Sequence, residues 1–94
     1  MFQITERHSV EITQGSSRYL VATADLCSDT ETVETLRNRV LLIGGASIRI
    51  SDRAGLGRAF DEAFNSCEAR PGNDVSAVFD FADGQITVSR KYAA

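Results

Sequence analysis

His8 is the only histidine in the chain. An imidazole performs general acid-base work when a carboxylate orients its ring, and Glu6 and Glu11 lie nearby in sequence. On a regular strand Glu6 shares a face with His8, whereas Glu11 points the other way. No Ser or Cys nucleophile stands at a suitable spacing, so a solvent-facing histidine in an edge or bulged strand is the expectation. Cys27 and Cys67 are forty positions apart with no CxxC partner, and one histidine with two distant cysteines supplies no convincing metal-ligand set. No metal or cofactor is therefore expected.

The segment Ser51-Asp52-Arg53-Ala54-Gly55-Leu56-Gly57-Arg58 brings two glycines and two arginines to the start of a helical pattern, where free N–H groups and the helix dipole attract anions. Neither GxGxxG nor GxxxxGK[ST] is present, and Asp52 would repel a phosphate. Glycines that permit close packing beside solvated arginines are the favoured interpretation. Asp61 and Glu62 are adjacent on the same helix, and Asp80 and Asp83 border a turn. Hydrolytic chemistry would require such acids to converge from different elements, so solvated carboxylates are expected. Phe2, Tyr19 and Tyr92 could form an aromatic platform for single-stranded RNA, but no RNP-like motif accompanies them and packing is the expected use of the rings.

The elements that must position these groups follow from periodicity. Phe2, Ile4, Val10 and Ile12 alternate with polar neighbours, Gln14-Gly15-Ser16-Ser17 turns the chain, and Arg18 to Ala24 is a second β-rich run. The alternation lapses over Glu6 to Ser9, leaving continuous strand or a bulge there as alternatives. Ser28 and Glu31 stand at capping-box spacing ahead of Val33, Leu36, Val40 and Ile43, a helical stripe that Gly44-Gly45 is expected to stop. Val40 to Ile43 and Ala46 to Ser51 also admit a strand-turn-strand parse. Ser47 to Ser51 alternates strictly and predicts a strand. Leu56, Phe60, Ala63, Phe64 and Cys67 then mark the clearest helix, with Asp52 as its cap and Arg70-Pro71-Gly72-Asn73-Asp74 as its stop. Cys67 falls on the apolar stripe, where a thiol acts as a small hydrophobe. Val75, Ala77, Phe79 and Phe81 alternate before Asp83-Gly84 turns the chain into Ile86, Val88 and Arg90.

The order ββαβαββ predicts an α+β two-layer sandwich, a mostly antiparallel sheet with two helices on one face, spanning residues 1–94 as one domain. That suits 94 residues with 43% hydrophobic and 24% charged residues, and no repeat or linker interrupts them. A net charge of −3 argues against wholesale wrapping of nucleic acid or a polybasic membrane anchor. Residues 37–58 alone are cationic, with Arg37, Arg39, Arg49, Arg53 and Arg58 against the single acid Asp52. Nine of the ten basic residues are Arg, whose planar fork suits carboxylate, phosphate and interface contacts, although a GC-rich coding sequence produces the same excess. Met1 to Val10 contains no apolar leader, and the run Val40 to Ile43 is far too short to cross a bilayer, so a cytoplasmic, reduced chain is expected.

A chain of this size without a catalytic constellation is expected to be a non-enzymatic interaction protein with a protein partner. Regulators, immunity proteins and phage-encoded inhibitors such as anti-CRISPR proteins share these traits, which is an analogy of size and class only. Arg53, Arg58, Arg37, Arg39 and Arg49 are the candidate partner-binding residues. The alternatives are nucleic-acid or phosphate-ligand binding through residues 37–58, and a small enzyme or a subunit of a shared active site. Self-association through an edge strand to give a homodimer is a separate expectation.

Overall fold

Alternating burial along the strands organises the molecule. In a computed structural model that describes residues 5–25, 33–47, 52–72, 74–82 and 84–93, β1 (Thr5–Gln14) and β2 (Ser17–Asp25) form one antiparallel hairpin, and β3 (Asp74–Phe81) and β4 (Gly84–Ala93) form another. The hairpins join through β1 and β4, giving the order β2-β1-β4-β3, antiparallel throughout. The first and last of the described strands therefore lie in the centre, and β2 and β3 are the edges. Gly15 turns the first hairpin with φ +60°, a backbone state that glycine adopts without steric cost. At the second turn Gly84 lies against the main chain of β1, where a Cβ would run into the Thr13 carbonyl.

His8, Val10 and Ile12 of β1, Ala77 of β3, and Ile86, Val88 and Arg90 of β4 are buried on one face. Helices α1 (Val33–Ser47) and α2 (Arg53–Ala69) cover that face, α1 against β2 and α2 against β3 and β4. Leu36 and Val40 of α1 meet Leu56, Ala59, Phe60, Ala63, Phe64 and Cys67 of α2 in the same core. Phe60 is fully buried, and removing such a ring from water contributes about 1.5–3 kcal/mol. Asp52 caps α2 as its position suggests, its carboxylate Oδ1 accepting from the Gly55 N–H at 2.9 Å.

The α+β class, the antiparallel sheet and the pair of helices match the expectation, while several local readings do not. The described elements run ββααββ. Of the strand expected at Ser47 to Ser51, Ser47 ends α1 and residues 48–51 lie outside the described residues. Gly44-Gly45 does not stop α1, and the strand parse of Val40 to Ile43 fails with it. Gly44 is buried on the stripe of Leu36 and Val40, so packing against the core outweighs a helix-interior glycine penalty of about 1 kcal/mol. The Ser28 to Glu31 cap lies outside the described residues. Glu6 to Ser9 pairs in regular register with Tyr92 to Ser89, so the lapse in alternation is not a bulge. The irregularity sits instead in β2, where the register shifts between Val10 and Glu11 and leaves Val21 as the extra residue.

Candidate functional site

The five arginines marked by the sequence reach different fates. Arg37 Nε donates to Asp61 Oδ1 at 2.9 Å, tying α1 to α2 through a pair whose side chains are 36% and 48% exposed. At that exposure the pair contributes roughly 0.2–1 kcal/mol. The Arg37 guanidinium rests over Gly57, where a Cβ would lie 2.5 Å from Nη2 and push the side chain aside. Arg39 is exposed and its Nη1 donates to the Thr23 carbonyl at 3.4 Å. Arg53 and Arg58 are exposed on α2, and Arg49 lies outside the described residues.

An open groove of about 240 Å³ runs beside the N-terminal half of α2, lined by Asp52, Gly55, Arg58, Glu62, Asp80 and Phe81 among others. Asp52 and Glu62 stand against one guanidinium there, so the groove is net acidic, while Asp80 borders it from β3. Asp52 is already committed to the helix cap, and Asp80 accepts from Gln85 Nε2 at 2.9 Å. This electrostatic setting disfavours the phosphate that a glycine-rich strand-to-helix segment would otherwise suggest. Glu62 and Asp80 both border the groove, but the Asp80 carboxylate is held by Gln85 in the cross-strand row of Thr13, on the other face of the sheet; Asp61 is drawn to Arg37 and Asp83 lies outside the described residues. Among the described residues, no three His, Cys, Asp or Glu side chains are placed to hold a metal ion.

His8 contradicts the expectation of a surface histidine, because β1 is central and the ring is fully buried under the C-terminal end of α2. Its Nε2 lies 2.7 Å from Glu68 Oε1, a separation that places the ring proton on that nitrogen as donor. Glu68 on α2 thus takes the orienting role for which the sequence offered only Glu6 and Glu11 as neighbours. The ring stacks on Phe64 with centroids 4.9 Å apart. Arg90, directly across from His8 on β4 and only 2% exposed, lies 3.8 Å from Glu68 Oε2. Its Nη1 donates to the carbonyls of Cys67 and Glu68 at 3.0 and 3.4 Å, and its Nη2 to those of Arg70 and Gly72 at 2.6 and 3.0 Å. A buried cation thereby closes the helix end, whose terminal carbonyls have no partner within the helix. Beside it the Cys67 thiol donates to the Val75 carbonyl at 3.7 Å, as befits a cysteine on the packed stripe. Sequence reasoning missed this cluster, although His8 and Arg90 continue the alternation of Val10, Ile12 and Ile86, Val88.

The opposite face of the sheet is not covered by either helix. Cross-strand register arranges it in rows: Arg18, Thr13, Gln85, Asp80; then Leu20, Glu11, Thr87, Val78; then Thr23, Ser9, Ser89, Ser76. Arg7, Lys91 and Asp74 belong to a fourth row. Tyr19 pairs with the buried Ile12 and so belongs to the helix-covered face, and no described side chain of the open face is aromatic. Phe2 lies outside the described residues. A base-stacking platform therefore has no described ring to rest on.

No family model, curated protein or solved structure matches the chain. No helix among the described residues is long and apolar enough to cross a membrane.

Proposed function

We propose that this chain is a non-enzymatic interaction protein that grips a protein partner through the solvent face of its helical layer, as a regulator, inhibitor or immunity protein does. The observation that carries this reading is the aliphatic surface left on α1, where Leu42 is 66% and Ile43 36% exposed beside Arg39. Aliphatic and guanidinium groups together are the chemistry of interface cores, in which charged residues other than Arg are depleted. Arg53 and Arg58 extend the surface along α2, and Arg37 at the helix junction is half available beyond its bond to Asp61. The buried His8 cluster supports the same reading from the other side, because its groups are committed to the fold rather than aimed into the groove. A cytoplasmic setting and a phage or mobile-element source belong to this reading by analogy of class alone.

Affinity capture from the native host tests it. The tagged chain is expected to retain one protein in fixed ratio, and Leu42→Asp combined with Arg58→Glu is expected to abolish that recovery with the thermal melt unchanged. Failure to retain any protein reproducibly, or retention indifferent to both substitutions, overturns the proposal.

A further inference from the structure

The two edges of the sheet differ. On β2 the extra residue Val21 breaks the regular spacing of main-chain groups, and Arg39 Nη1 donates to the Thr23 carbonyl. β3 pairs with β4 without a shift from Asp74 to Phe81, and among the described residues no strand lies on its other side. The turn that joins Phe81 to Gly84 directs the Phe81 main chain toward β4. Alternation then turns those of Phe79, Ala77 and Val75 the same way, and those of Asp80, Val78 and Ser76 away from the sheet. The Ser76 carbonyl, which accepts from Arg70 Nη1 at 2.8 Å, has this outward direction, and its second lone pair serves a further donor. The side chains are also incompletely covered: Val75, Phe79 and Phe81 pack against the core but are only partly buried, and Val78 on the open face is 52% exposed.

We infer that the β3 edge is a homodimer interface, where β3 of a second copy adds antiparallel about a two-fold axis through Val78 and doubles the four-stranded sheet. About that axis Val78 meets Val78 of the second copy and Ser76 meets Asp80, and these outward-facing pairs exchange main-chain hydrogen bonds. On the helix-covered face Phe79 comes beside Ala77 of the second copy and Phe81 beside Val75, so every apolar side chain of the strand gains an apolar neighbour. The adjacent symmetric registers lose this match. With the axis at Ala77, Asp74 stands opposite Asp80 of the second copy, and the symmetry repeats the like-charge contact. With the axis at Phe79, Val78 stands opposite Asp80 and Val75 passes beyond the end of β3. Only one edge of each copy is regular, so pairing closes at two copies instead of continuing as a filament. The contact is narrow and held mainly by main-chain bonds, which makes association concentration-dependent. It leaves α1 uncovered and stands independently of the protein partner proposed there.

Sedimentation equilibrium of the purified chain from micromolar to millimolar concentration provides the test, with circular dichroism melts to confirm folding. The parent chain is expected to dimerise. Val78→Asp and Val78→Lys each set like charges at the axis and should weaken dimerisation by about tenfold, whereas an equimolar mixture of the two variants should restore it as a mixed dimer. Leu20→Asp, on the other edge strand, should leave dimerisation unchanged. Amide exchange on the parent chain gives a reading that needs no variant: the Val78 and Asp80 N–H groups should be protected at millimolar and exchange freely at micromolar concentration. A parent chain that remains monomeric throughout, a dimer indifferent to Val78→Asp, a mixture that stays monomeric, loss of the dimer on Leu20→Asp, or exchange at Val78 and Asp80 independent of concentration would each overturn the inference.

Discussion

At the C-terminal end of α2, Arg90 is buried and spends its donors on four main-chain carbonyls, with Glu68 bridging toward His8. At the N-terminal end, Arg53 and Arg58 extend into solvent and the carboxylate of Asp52 closes the helix. Both ends satisfy their orphan backbone groups, but by opposite means. One uses a long cation reaching from a distant strand, and the other a short anion three residues from the N–H that donates to it. The difference separates charges that specify the fold from charges left for recognition. A buried guanidinium depends on acceptors supplied by the fold, as the four carbonyls facing Arg90 Nη1 and Nη2 are, whereas an exposed one is hydrated and interchangeable.

Removing Arg90 breaks this contrast most severely. Arg90→Ala is expected to destabilise by about 3–5 kcal/mol, because it leaves the α2 carbonyls without their buried donor and removes the cation beside Glu68. Against the roughly 5–15 kcal/mol that holds a domain together, urea unfolding should show a large loss or no folded baseline. Arg90→Lys should not rescue it, since one ammonium lacks the fork that reaches four carbonyls.

At the other end, Asp52→Ala should cost about 1 kcal/mol, the usual value of an N-cap, read as a lower urea midpoint with an unchanged slope. Asp52→Asn should recover most of that loss, because the amide oxygen still accepts from the Gly55 N–H. The smallest effect sharpens the comparison. Arg58→Ala should change stability by no more than about 0.5 kcal/mol in either direction. A larger loss would place Arg58 among the residues that hold the fold and remove it from the surface assigned to recognition.

Much of the architecture was legible in order along the chain. Strict alternation in Val75 to Phe81 and in Ile86 to Arg90 predicted the second hairpin, and Leu56, Phe60, Ala63, Phe64 and Cys67 at helical spacing predicted α2 with its Asp52 cap. These signals are local, since side-chain period and capping chemistry act within a few residues. Readings that depended on the surroundings fared less well. Gly44-Gly45 carries an intrinsic stop signal that burial against the core overrode. His8 was judged by the acids beside it in sequence, while its partner Glu68 is sixty residues away.

Sequence by itself determined the class: period-two runs and a 3.6-residue stripe, each needing an apolar face covered, leave a sheet under two helices as the economical packing. Only the tertiary structure decided that β1 and β4 pair in the centre, setting His8 opposite Arg90 and both beneath the end of α2. It also decided which arginines stay on the surface, because a side chain's burial depends on what the rest of the chain lays over it. The residue type alone carries no record of that covering.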